Sequence, residues 1–240
     1  MEKVIPPPPH TSEKQLLQQL SLLTSILLVA AVFNSYIIKL DRFTTLPTHH
    51  AWISLSLSVI FFLMLFYYVS VNKFKMSQFG IHREHFWLNV GRGIVYTIPL
   101  LGILLTIEVY QKAFVPSLND VPIFIVPHFA AAIDNYTFPI LVLSIGLIQE
   151  FCIRGVLQGE LTRLLVGSPK VKVIRAIILS NLGFSAVHLY LSFWLSIVVI
   201  VPGCYWGFMY YKHRSLVSVV ISHALCSYVA FKYLNVSQFF

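Results

Sequence analysis

The stretch "FPILVLSIGLIQEFCIRG", residues 138–155, opens with an apolar run and then sets Gln149, Glu150 and Arg154 at its end. The run reads as the inside of a bilayer helix. There an ionisable side chain costs roughly 2.5–3.5 kcal/mol on insertion scales, so each one calls for a reason. Glu150 and Arg154 are four residues apart and share one helical face. Such a pair partly neutralises itself. Taken alone it reads equally as a staple between helices or as part of a functional site.

Working outward, the 240 residues are 57% hydrophobic and 11% charged, with a mean hydropathy of +0.77. A soluble domain carries about 25% charged residues. Too few polar side chains remain to cover a water-exposed surface, so the chain reads as an integral membrane protein. The fold class that follows is all-α: a polytopic membrane helix bundle of seven to eight transmembrane helices around an intramembrane polar cavity.

Apolar runs long enough to cross a bilayer lie near residues 20–38, 51–71, 93–110, 136–157, 173–190, 192–211 and 216–233. The first exceeds the apolar core of a signal peptide and reads as a retained helix. Segment 121–133, "VPIFIVPHFAAAI", is too short to cross alone and carries two prolines. The chain thus divides into a polar, Pro-rich segment 1–15, N-terminal transmembrane helices 16–135, a polar-bearing helical core 136–234 and a short tail 235–240.

Charge between the runs gives an orientation. With the N-terminus inside, the inner segments carry Lys3, Lys14, Lys73, Lys75, Arg83, Arg92, Arg163, Lys170, Lys172, Arg175, Lys212 and Arg214. The outer ones carry only Lys39, Arg42, Lys112 and Lys232. This bias favours seven crossings with the N-terminus inside. It also accounts for the net charge of +8 through lipid head groups, without a nucleic-acid partner. Small size and the lack of organelle signals suggest a bacterial cytoplasmic membrane.

Polar groups concentrate in the second half: Glu150 and Arg154, then His188 in "NLGFSAVHLY", then His223 in "VISHALCSY". Phe184 and His188 are i,i+4, as are His223 and Ser227. A lone membrane histidine is often an interhelical hydrogen-bond partner, but three such motifs on three helices favour one shared site. A carboxylate and an imidazole can hold and deprotonate a water while a second imidazole stabilises the oxyanion. That is amide hydrolysis with no covalent intermediate. A divalent metal in the same residues ranks second, since HExxH spacing is missing; no cofactor is expected.

Weaker candidates receive no role. Glu108 with Lys112 reads as a snorkelling surface pair, and His49, His50, His128 and Asp134 fall in loops or in the uncertain segment. Cys152, Cys204 and Cys226 lie in apolar runs and read as small buried hydrophobes.

The ordered set carries a family resemblance. "QEFCIRG" resembles Glu-Glu-x-x-x-Arg-Gly, "FSAVH" matches Phe-x-x-x-His, and "GFMYYKHRSLVSVVISHALCS" resembles a Gly…Ser-Leu…His-x-x-x-Asn element. Over residues 138–230 the chain resembles the CPBP family (CAAX proteases and bacteriocin-processing enzymes, also called Abi). The resemblance implies a bundle of about eight helices around a water-accessible cavity, and glutamic-type intramembrane proteolysis of a membrane-anchored or lipidated peptide or protein. It implies that His188 helps hold the water, His223 contributes to the oxyanion hole and Arg154 orients the acidic motif.

Two positions depart from the pattern. Gln149 stands where the family has its water-activating glutamate, and Ser227 where it has asparagine. An amide can hydrogen-bond a water but cannot take its proton. Three outcomes follow: Glu150 acts as base in a shifted geometry, His188 is the base of a slow enzyme, or the chain is a non-catalytic scaffold, immunity or regulatory relative. The expected catalytic set is Glu150, His188 and His223, supported by Gln149, Arg154, Phe184 and Ser227. A small transporter with a Glu/Arg/His relay is a distant third reading, because paired Gly/Pro-broken helices in two halves are missing. The oligomeric state is unreadable.

Overall fold

The computed structural model describes residues 62–114 apart from 65, 74 and 84, residues 137–189 and 193–233, and isolated helical positions at 18, 21, 22, 25, 56, 59 and 60. Segments 1–15, 121–133 and 235–240, and nearly all of the first expected crossing, lie outside the described residues. So do His49, His50, His128 and Asp134.

Regular structure among the described residues is entirely helical. After the helical stretch Phe62–Val71 come a 3-10 turn at Met76–Phe79 and α1 (Phe86–Phe114). Then follow α2 (Thr137–Glu150), an eight-residue π-helical segment (Phe151–Gln158) and α3 (Gly159–Leu164). The remaining helices are α4 (Pro169–His188), α5 (Phe193–Val198), α6 (Ile200–His213) and α7 (Leu216–Tyr233).

Two stretches are long and apolar enough to cross a membrane: Phe86–Thr106, and Phe138–Leu164, which runs unbroken through α2, the π segment and α3. Shorter apolar helices, Phe62–Val71 and Leu216–Ala230, accompany them. The other two runs read as crossings differ from expectation for local reasons. α4 begins four residues before its apolar run and carries Lys170, Lys172 and Arg175 in its first turns. The run 192–211 is broken at Val199, between α5 and α6. Pro202 supplies the cause, because it has no N–H to donate to the carbonyl four residues back. Pro99 lies inside α1, and one turn earlier Tyr205 Oη donates to the carbonyl of Tyr96 at 2.8 Å.

Large apolar side chains cover much of the surface, and charged and polar groups are buried beside an apolar core. Trp87, Val95, Ile98, Ile140, Ile174 and Val201 are exposed, while Glu150, Arg154, Gln158, Asn181, Ser222 and His223 are buried. A surface this apolar, with charged groups buried inside, suits lipid rather than water. The exposed Trp87 near the start of α1 suits the membrane–water boundary.

α7 is the central packing element, lying against α1, α2 and α6, while α4 packs on the π segment and on α6. Small residues let these helices close. A Cβ on Gly93 would sit 2.7 Å from Ser218 O and 2.8 Å from Ile221 Cβ, so only glycine admits the α1–α7 crossing. Gly80 (φ 77) ends the 3-10 turn in the left-handed region, and its carbonyl accepts Leu216 N–H at 3.1 Å. The turn before α1 is thereby tied to the start of α7.

A buried Glu–Arg–His cluster as candidate functional site

Glu150 ends α2 and Arg154 sits in the π segment. Isolated π turns are uncommon and often accompany functional sites; here eight residues adopt the form, and all eight are buried. The turn brings Arg154 back over Glu150, with Nε donating to Oε2 at 3.0 Å and both side chains at 0% exposure.

The other carboxylate oxygen is also occupied. His223, from α7, lies with Nδ1 2.7 Å from Glu150 Oε1. A carboxylate in this position only accepts, so Nδ1 carries the proton and the lone pair is left on Nε2. His188 reaches the same state by a different route. Its Nδ1 is 2.8 Å from the carbonyl of Phe184, and a carbonyl has no proton to give. In its neutral form each imidazole therefore has Nε2 as the acceptor, with no hydrogen-bond partner for either atom among the described residues.

Phe184 joins the two. Its ring lies edge-on to His188 with centroids 4.5 Å apart and to His223 at 6.0 Å, while the Arg154 guanidinium stands 5.8 Å from its centroid. The structure thus brings together Glu150, Arg154, Phe184, His188 and His223. Gln149 is half-buried beside them. Successive helical residues point about 100° apart, so Gln149 and Glu150 leave α2 in different directions. Neither Gln149 nor Ser227 makes a side-chain hydrogen bond among the described residues.

Two supporting residues, Asn181 and Gly203, escaped the sequence reading. Asn181 Oδ1 accepts Arg154 Nη2 at 2.9 Å and its Nδ2 donates to Ile177 O at 2.8 Å. Asn181 precedes His188 by two turns on the face that carries Phe184, which is a signal the sequence held. Gly203 makes room for this amide: a Cβ there would fall 2.2 Å from Asn181 Oδ1.

Trp206, in α6, stacks on His223 with centroids 4.2 Å apart and planes 17° from parallel. Its Nε1 donates to Ser222 Oγ at 3.1 Å, and Ser222 Oγ lies 3.2 Å from Thr97 Oγ1. No spacing pattern announces that stack. The hydrogen-bonded indole nonetheless fixes the plane of the imidazole.

Chemically the cluster can polarise and deprotonate a water: a carboxylate backs one imidazole, a carbonyl orients another, and an indole clamps the first. Among the described residues no group of three His, Cys, Asp or Glu is arranged to hold a metal ion. Cys152 and Cys226 are packed in the hydrophobic core, and Cys204 Sγ lies 3.6 Å from Asn181 Nδ2. Residues 131–229, which contain the whole cluster, match the family model described as type II CAAX prenyl endopeptidase Rce1-like. No curated protein and no solved structure matches the chain.

Proposed function

Because residues 131–229 match the Rce1-like family model of type II CAAX prenyl endopeptidases, we propose that the chain is a membrane peptidase whose base is an imidazole. The observation that carries this reading is the 2.7 Å contact between Glu150 Oε1 and His223 Nδ1. Glu150 has no exposure and each of its oxygens is already engaged, one by Arg154 and one by His223, so it orients and charges His223 in the way a buried carboxylate serves a catalytic histidine. It is not itself the base.

The substrate class is a peptide or protein anchored in the bilayer or carrying a lipid, cut by an activated water. The Nε2 atoms of His188 and His223 accept the two hydrogens of that water, leaving its lone pair toward the scissile carbonyl. His223, backed by Glu150, takes the proton and returns it to the leaving amine. The Gln149 amide and the Ser227 hydroxyl are the available donors for the oxyanion. Arg154, itself held by Asn181, holds Glu150 from behind.

The end of the bundle that gathers the 80–86 and 213–216 connections also carries Arg83, Arg92, Lys212 and Arg214. That concentration supports a multi-pass arrangement with this end, and the N-terminus, inside.

A second reading has its own observation. Gln149 stands where a carboxylate would take the proton, and Glu150 is already committed to Arg154 and His223. A non-catalytic relative that keeps the cluster as a binding scaffold has the same geometry.

The deciding experiment is cleavage of membrane-anchored and lipidated reporter peptides by the purified chain in detergent. Peptidase action predicts product formation that His223→Ala and His188→Ala each abolish. No cleavage, or cleavage indifferent to both substitutions, overturns it. A silent protein that begins to cleave on Gln149→Glu identifies the scaffold reading.

A further inference from the structure

We propose that the outer groove between α1 and α6 is a binding site for the phosphate of an anionic phospholipid, separate from the buried cluster. The two helices present matching stripes. On α1 the residues Arg92, Tyr96, Pro99 and Ile103 recur at i, i+4, i+7 and i+11, and on α6 so do Val201, Tyr205, Phe208 and Lys212. The helices run in opposite directions here, so the cationic residues of both stripes fall at one end and the apolar residues at the other.

The contacts bear this out. Lys212 Nζ is 3.2 Å from Tyr96 Oη and 5.8 Å from the Tyr96 ring centroid. His213 lies edge-on to the same ring at 4.9 Å, and the Tyr96 and Tyr205 rings are 6.2 Å apart. Arg92 is held by Asn89 Oδ1 at 3.2 Å. Neither Arg92 nor Lys212 has a carboxylate partner among the described residues.

Two cations thus sit at the mouth of the groove with no counter-charge among the described residues, and aromatic rings form its throat. Below them Ile103, Val201 and Phe208 are 48%, 61% and 52% exposed. A charged mouth over an apolar, outward-facing body fits an amphiphile with an anionic head and an acyl chain. A phosphodiester would take both cations, and basic pockets between membrane helices are suited to such head groups. The Tyr96 hydroxyl is a further donor to a phosphate oxygen.

The test is native mass spectrometry of the full chain in detergent, offered phosphatidylglycerol or phosphatidylcholine with the same acyl chains. Retention of phosphatidylglycerol over phosphatidylcholine is expected. At about 1 kcal/mol for each basic residue near a lipid surface, Lys212→Gln alone, at an exposed position, should weaken that preference about fivefold. Adding Arg92→Gln should bring the loss to roughly thirtyfold. The control pair Lys170→Gln/Arg175→Gln removes the same charge elsewhere and should leave the preference intact.

Equal retention of the two lipids, or an equal loss in the control, overturns the proposal. So does full displacement of phosphatidylglycerol by inorganic phosphate, which would mark a bare ion site, or by a lipidated peptide with a free carboxylate, which would mark a substrate subsite. None of these readouts depends on peptidase activity.

Discussion

Glu150 closes on His223 at 2.7 Å from one side while Arg154 holds its other oxygen at 3.0 Å, so one carboxylate joins the π segment to α7. With one acid and two basic groups in a dry interior, removing any partner leaves an uncompensated group behind. Glu150→Gln should therefore lower stability by about 3–5 kcal/mol, because the Arg154 charge stays buried without its partner. Adding Arg154→Met should restore much of the thermal stability in detergent while leaving peptide cleavage absent. If the double variant melts no higher than Glu150→Gln, the ion pair is not what Glu150 contributes to the fold.

The indole of Trp206 offers a separable test. Trp206→Phe keeps a ring against His223 but loses the hydrogen bond to Ser222 Oγ, whereas Trp206→Leu loses both. Cleavage should fall modestly in the first and at least about tenfold in kcat in the second, with KM nearly unchanged, because the plane of His223 acts only in the reaction. A change confined to KM would contradict a positioning role.

Asn181 and Gly203 should behave as a unit. Gly203→Ala places a methyl against Asn181 Oδ1 and should cost roughly 1–3 kcal/mol through overpacking. Asn181→Ala opens that space but strips Arg154 Nη2 of its acceptor. The double variant should be less destabilised than the sum of the singles, and a double-mutant cycle on melting curves measures the difference. Strict additivity would show that the two do not share space.

His213, at the end of α6, gives the pH prediction. Burial, with Arg92 and Lys212 adding positive charge nearby, holds it below its ordinary 6.5. The folded state therefore binds fewer protons than the unfolded one, and stability rises with pH through this window. Lowering the pH below about 6.5 should cost stability, progressively until His213 also protonates in the fold. His213→Gln should flatten that slope, which thermal unfolding as a function of pH will show.

Much of the inner half of the molecule was legible beforehand. Glu150, Arg154, Phe184, His188 and His223 stand out because charge and imidazole are rare within apolar runs, and the structure gathers them around one ring. Helix ends were less legible. Hydropathy records what a bilayer tolerates, while a helix continues wherever its backbone hydrogen bonds continue; α1 therefore begins at Phe86, seven residues before its apolar run. Asn181 could have been read from its position two turns before His188. Trp206 could not, since nothing local tells a packing aromatic from one that stacks on a particular imidazole. The contact of His223 with Glu150 is likewise a fact of tertiary structure alone.

The π segment Phe151–Gln158 has a consequence for how this sequence tolerates change. Closing each ring at i→i+5 turns everything downstream through a different angle from that of an ordinary helix. At the end of this more slowly turning segment Gln158 donates to the carbonyl of Gly207 at 3.0 Å. Losing a single residue anywhere in 151–158 would act as a gear change: the half before it would keep facing His223, and the half after it would swing its polar residues toward lipid. Length is therefore constrained in this stretch as tightly as residue identity.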